Sequence, residues 1–264
     1  MNEFIPQMKP WFDDRETAAL LRYMGSGGWL TEFQETRTFA RMIADYTGSK
    51  FCSILSNGSV TLTAALLAMG IGAGDEVIVP AYTMIATANA VLLARGAKPV
   101  FADVERETLC LDYESVRVAI TERTRAIMLV SINGRYPKRL DDILELCAVR
   151  RIRVVEDAAQ SLGSFHRGKH VGSWGALGSF SFSMPKIITT GQGGALITDD
   201  EELHRKIELV RNFGREEAGI DKHVFIGTNF KFTDLQAVIG IEQMKKLEQR
   251  VALKRSLLDR KSVV

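Results

Sequence analysis

One lysine, Lys186, stands after a serine-studded run and before a glycine-rich turn, in SFSFSMPKIITTGQGGALIT, residues 179–198. Ile187 and Ile188 follow it. An apolar setting disfavours a charged ammonium, so such a lysine can shed its proton and attack a carbonyl carbon. Taken singly, any such lysine reads more readily as a lysine on the rim of a hairpin. Asp157 ends the apolar run IRVVED. A carboxylate there needs a cation or strong hydrogen bonds, and a protonated ring nitrogen is one such partner. A helix cap or turn former is the plainer reading. Gln160, three residues on, can donate and accept. Ser56, Asn57, Gly58 and Ser59 form a polar turn between the strand-like FCSIL and the helix-like VTLTAALLA. Free N–H groups and the helix dipole suit a phosphate there, and simple capping by Asn or Ser is the alternative. A phosphate cradle, an aspartate for a pyridinium nitrogen and a nucleophilic lysine, in that order, are the parts of a pyridoxal-phosphate site.

The elements that must position these residues follow from periodicity. Phe180, Phe182 and Met184 alternate with Ser179, Ser181 and Ser183, which predicts a half-buried strand ended by Pro185, with ALIT as a second short strand. Helices are expected over about 14–24 and 32–48. Then short apolar strands (FCSILS, EVIVP, KPVFADV, RAIMLVSI, IRVVEDA) alternate with helical segments (SVTLTAALLAMG, MIATANAVLLARG, YESVRVAI, RLDDILELCAVRR). That rhythm predicts an α/β fold, three αβα layers around a mostly parallel sheet. A helix near 200–212 follows, then one long, exposed amphipathic helix from about 233 to the end, which calls for a further domain or a dimer partner. In open α/β sheets, ligands bind beyond the carboxyl ends of the strands, where the three candidate groups fall.

The 264 residues are 46% hydrophobic and 25% charged, with a net charge of +2. These values fit an ordinary soluble globular chain and give no reason to expect nucleic acid or an anionic membrane as a partner. Cys52, Cys110 and Cys147 lack metal-ligand spacing and read as reduced core residues of a cytoplasmic protein with no metal. The start, MNEFIPQMKPWFDD, has no signal-peptide pattern, and no apolar run is long enough to span a bilayer. No G-x-G-x-x-G follows the first strand, which argues against a dinucleotide-binding domain.

The segments SGGWLT, SNGS, GDEVIVPAYTMIATANAV, VEDAAQSLGS, GSFSFSMPKIITTGQGGALIT and NFKFTDLQAVIGIEQM together resemble the DegT/DnrJ/EryC1/StrS sugar aminotransferases, of the aspartate-aminotransferase superfamily (fold-type I). The likeness runs from about residue 5 to the end, and SNGS with MIATANAV is nearest the perosamine-synthase branch. It implies that Lys186 forms the covalent imine with the cofactor aldehyde and later shuttles the proton. Asp157 would pair with the pyridine nitrogen, and Gln160 would lie near the phenolic oxygen. Gly58, Ser59 and Ser181 would hold the phosphate. Asn229 would reach the phosphate of a neighbouring subunit, so that a homodimer shares its active sites. The glycines of GQGG would pass close beneath the lysine.

Three departures stand out. Met84 occupies the position where the family stacks an aromatic ring on the cofactor; a thioether can cover a ring face, whereas Tyr82 should point away. The family's His-x-x-Gly type motif after the fifth strand is replaced by SINGR, Ser131–Arg135. Members also continue for roughly a hundred more residues as a small domain. The expected division is therefore a cofactor-binding large domain over 1–232 and, over 233–264, a helix leading to a truncated C-terminal domain. The resemblance implies transfer of an amino group from an amino acid, glutamate, to a nucleotide-linked 4-keto-6-deoxy sugar. The alternatives are a truncated, inactive cofactor-binding or regulatory homologue, or a cofactor-dependent sugar dehydratase. The dehydratases carry histidine in place of the lysine, so Lys186 argues against that last reading.

Overall fold

The computed structural model describes residues 9–216 and 219–261. Two helices open it, α1 (Asp14–Gly25) and α2 (Gln34–Thr47). Strands and helices then alternate: β1 (Phe51–Leu55), α3 (Gly58–Ala68), β2 (Glu76–Pro80), α4 (Ala86–Leu93), β3 (Lys98–Ala102), α5 (Tyr113–Ala119), β4 (Thr124–Val130), α6 (Leu140–Arg150) and β5 (Arg153–Asp157). A small hairpin, β6 (Phe165–His166) and β7 (Lys169–His170), precedes β8 (Leu177–Ser181) and β9 (Gly194–Thr198). Three helices follow, α7 (Glu201–Arg211), α8 (Asp234–Lys245) and α9 (Leu247–Lys261). Among the described residues no helix is long and apolar enough to cross a membrane.

Seven strands form one sheet in the order β1-β9-β8-β5-β4-β2-β3. β9 runs antiparallel to both of its neighbours, and the pairings from β8 to β3 are parallel. Successive residues of a strand serve opposite faces, so a sheet covered on both sides needs near-continuous apolar runs. Ile54, Ile78, Ile127, Leu129, Phe180 and Ile197 pack into one core with Phe39 and Ile43 of α2. Leu55, Val77, Val79, Met128, Leu177 and Leu196 pack into the other with α3, α4 and α7. This is the expected three-layer α/β fold with a mostly parallel central sheet. α3 carries apolar or small residues almost all round and is nearly fully buried, as a helix between layers must be.

Four expectations change. β8 stops at Ser181, so Pro185 does not end it. The Phe182 N–H bonds Gly193 O, and the Thr190 N–H bonds Phe182 O. These bonds fold residues 182–193 into a turn, within which the Lys186 N–H bonds Ser183 O at 3.0 Å. The strand is also not half-buried: Ser179 is fully buried, its hydroxyl 2.6 Å from Thr61 Oγ1, and Met184 is exposed. The expected single long exposed helix is two helices, broken at Lys246. α8 is largely buried against α1 and α2. Its Asp234 accepts the N–H groups of Phe33, Glu35 and Thr36, which caps α2 from outside because Phe33 has no capping side chain. Residues 262–264, where that helix was expected to end, lie outside the described residues. The SINGR segment follows β4, the fourth strand rather than the fifth.

Candidate active site

The carboxyl ends of β1, β2, β5 and β8 share one rim of the sheet. After β1, Asn57 is the N-cap of α3, and its Oδ1 accepts the N–H of Ser59 and of Val60, each at 3.0 Å. The capping reading of this turn is therefore present in the structure. Close approach shapes the rest. A Cβ on Gly58 would lie 2.7 Å from Ser181 Cβ, and one on Gly194 would lie 2.7 Å from the Asn57 carbonyl carbon. Only glycines let the start of α3 sit against the ends of β8 and β9. Gly58, Ser59 and Ser181 are thus brought together at a helix N-terminus. The GQGG glycines were expected to pass beneath Lys186; the close approaches are instead at Gly194, against this turn, and at Gly193, against Thr190, Phe182 and Phe232.

Asp157, the last residue of β5, pairs with Val130 of β4 and with Ser179 of β8. It is buried, which pushes its carboxyl above the usual range. The Thr87 hydroxyl donates to its Oδ2 at 2.8 Å, and the Ala159 N–H donates to Oδ1 at 3.3 Å. The charge of Lys186 also favours the ionised form. Lys186 is half-buried; burial pushes its amine below the ordinary lysine range, and Asp157 opposes this. The charge of each group opposes the effect of burial on the other.

The preceding residue, Glu156, makes the contrast. It too is fully buried, on the other face of β5. Its oxygens accept from the Tyr136 hydroxyl and from the N–H groups of Gly172, Trp174 and Gly175. Glu156 is satisfied by the fold, whereas Asp157 has one good donor and one long one. A buried carboxylate short of donors has room for a cationic N–H.

The other candidates lie around this centre. Gln160 is exposed, and its Oε1 accepts the Asn133 N–H at 3.0 Å, which ties it to the SINGR loop. Met84 is exposed, and its Sδ accepts the Ala86 N–H at the start of α4. Tyr82 is exposed as well. Asn229 is exposed, and its Oδ1 accepts the Lys231 N–H at 3.3 Å. Its segment adjoins the polar turn, since the Ser56 N–H bonds Phe230 O at 2.9 Å. Residue-by-residue reading missed Thr87 and Thr83, whose hydroxyls lie 2.9 Å apart. Their four-residue spacing within AYTMIATANAV was the available signal.

The arrangement offers an anion site at a helix N-terminus, a carboxylate for a cationic ring nitrogen, and an amine able to attack a carbonyl. Comparison with known proteins points the same way. The profile of the DegT/DnrJ/EryC1/StrS aminotransferase family matches residues 12–261. GDP-perosamine synthase of Caulobacter vibrioides is 42% identical over 214 residues, 81% of this chain and 57% of that protein. The L-glutamine:2-deoxy-scyllo-inosose aminotransferase of Streptomyces lividus is 37% identical, over 90% of this chain and 59% of its own. Among solved structures, a GDP-4-keto-6-deoxymannose-3-dehydratase with a trapped PLP-glutamate geminal diamine superposes with a TM-score of 0.84 at 29% identity. That match covers 92% of this chain and 68% of the other. The chain thus spans only 57% and 59% of the lengths of the two curated relatives named here.

Proposed function

Since the chain belongs to the DegT/DnrJ/EryC1/StrS aminotransferase family, we propose that it binds pyridoxal phosphate and transfers an amino group from glutamate to the keto carbon of a nucleotide-linked 4-keto-6-deoxy sugar. The observation that carries this reading is Asp157, a buried carboxylate at the carboxyl end of β5 with one good donor and one long one, on the rim from which the turn holding half-buried Lys186 departs. When bound, pyridoxal phosphate supplies an aldehyde that takes up amines and a ring that withdraws electrons.

The chain's own residues do the rest. Asp157 holds the proton on the ring nitrogen. Lys186, whose amine burial favours in the neutral form, would be the group that holds the aldehyde and would take and return a proton at Nζ. The Gly58 N–H, the Ser59 hydroxyl and the Ser181 hydroxyl bind the phosphate at the start of α3. Gln160, its Oε1 held by Asn133, presents its amide N–H to the phenolic oxygen. Met84 covers one ring face. Asn229 completes the phosphate site of a second copy, so the active unit is a homodimer. The name of the GDP-perosamine synthase relative supports a GDP-linked sugar as the substrate class.

The test uses purified protein and pyridoxal phosphate, with borohydride reduction and peptide mapping. A pyridoxyl mass on Lys186 is expected, and none in Lys186→Ala. Modification of other lysines alone would remove the basis of the proposal. Amino transfer from glutamate to GDP-4-keto-6-deoxymannose is then read by mass.

A further inference from the structure

We propose that Thr83 and Thr87 form a directed hydroxyl relay that positions Asp157 and keeps it a carboxylate, so that α4 sets how firmly the site holds a cationic ring. This rests on the reading above. Thr87 is fully buried, and its Oγ1 lies 2.8 Å from Asp157 Oδ2. A carboxylate only accepts, so the single Thr87 proton goes to Asp157. Thr83 Oγ1, 2.9 Å away, must then donate to Thr87. The two hydroxyls therefore have one direction, from the loop after β2 through the first turn of α4 to the aspartate.

The surroundings leave this task to Thr87. Ser179, opposite Asp157 on β8, has its hydroxyl engaged with Thr61 of α3. The Ala159 N–H gives only the 3.3 Å contact to Oδ1. Lys186 is the charged group that acts on Asp157 from the packed elements, and its amine is itself driven toward the neutral form by burial. Without the Thr87 donor, burial favours a neutral acid, which holds a pyridinium proton poorly. With it, Oδ2 is fixed and Oδ1 keeps a lone pair for the ring nitrogen. Thr87 is thus a positioning residue, acting through Asp157.

The experiment titrates pyridoxal phosphate into the full chain by visible absorbance between pH 5.5 and 8.5. The chains are the unmodified protein, Thr87→Val, Thr87→Ser and Thr83→Val, each with its thermal midpoint measured without cofactor. Thr87→Val should bind about tenfold more weakly at neutral pH, the order expected for one hydrogen bond to a charged group. Its low-pH loss of binding should move up by about one pH unit, because removing the donor raises the Asp157 pKa. Thr87→Ser should restore both, and Thr83→Val should show a smaller change of the same sign. A folded Thr87→Val with unchanged affinity and pH profile overturns the relay. So does a loss that is equal at every pH or that Thr87→Ser leaves unrepaired, since either assigns Thr87 to packing. If Thr87→Val does not fold, an unchanged pH profile in Thr83→Val overturns it instead. An unmodified chain that takes up no cofactor at any pH sinks the functional reading, which is a separate outcome.

Discussion

Glu156→Gln should weaken the fold severely, while Asp157→Asn should leave it nearly intact, although the two acids are neighbours on β5 and both buried. Glu156 accepts from four donors, one hydroxyl and three N–H groups of the loop Gly172–Gly175. A glutamine that keeps its carbonyl oxygen toward Trp174 and Gly175 turns an NH2 group toward Tyr136 and Gly172, so these two donors lose the carboxylate and the Gly172 N–H keeps only the Tyr136 oxygen. At about 1.5–3 kcal/mol for each hydrogen bond to a charged acceptor, the loss is about 3–6 kcal/mol. For a chain of this size that lowers the unfolding midpoint by roughly 10 °C or more. Asp157→Asn keeps an oxygen for the Thr87 hydroxyl and removes a carboxylate that burial disfavours, so the change should stay within about 1 kcal/mol. The sign also depends on pH. The folded Asp157 carboxyl sits above its ordinary value of 3.8, so rising pH ionises it first in the unfolded chain and erodes wild-type stability. Asp157→Asn should therefore gain on wild type as pH climbs from about 4 toward neutrality. Thermal unfolding without cofactor, from pH 4 to 7, reads all of this. If Asp157→Asn lost more stability than Glu156→Gln, the division into a structural acid and an available one would be wrong.

Other outcomes follow from the same structure. The neutral amine of Lys186 is reached at lower pH than in an exposed lysine, so its acylation by an amine-reactive reagent should rise with a midpoint below the usual lysine range; a midpoint equal to that of surface lysines on the same chain refutes the claim. Gly194→Ala sets a methyl group 2.7–2.8 Å from the backbone of Asn57 and Gly58, and should destabilise by about 1–3 kcal/mol in thermal unfolding. Lys246 is fully buried between Asp13 and Glu16, so Lys246→Met should cost about 3–5 kcal/mol by stranding Glu16, with much of the loss recovered in the double variant with Glu16→Gln. No recovery in denaturant melts would mean that Lys246 acts by packing alone.

The order of strands and helices from Phe51 to Asp157 was legible because short apolar runs alternate there with longer helix-forming stretches, separated by glycine, proline and charged residues. The rim that carries Asp157 and Lys186 followed from where the strands end. Three features were less accessible. Ser179 reads as a solvent-facing serine until Thr61, more than a hundred residues earlier, is placed opposite it. The end of β8 is set by the bond between Phe182 and Gly193 across the turn, which no local pattern announces, whereas Pro185 is a conspicuous but later signal. The break at Lys246 is held by Asp13 and Glu16 of the opposite terminus, so the helical pattern of 234–261 runs through it without interruption. Thr87, on α4, escaped for a similar reason: its partner ends β5, 70 positions away.

The single reversed strand has a consequence for how the chain is made. β1 lies at an edge of the sheet, and its sheet partner is β9, with the paired residues roughly 140 positions apart. During synthesis Phe51–Leu55 emerges early and has no sheet to join until Thr198 has left the ribosome. The turn that opens α3 is built last, although its residues are translated among the first. Such a non-local pairing is slow to find, and an apolar strand waiting for it is open to wrong partners. Folding speed and chaperone demand should therefore be governed by the late arrival of residues 194–198, and a nascent chain halted before them should hold β1 as an unpaired, aggregation-prone strand.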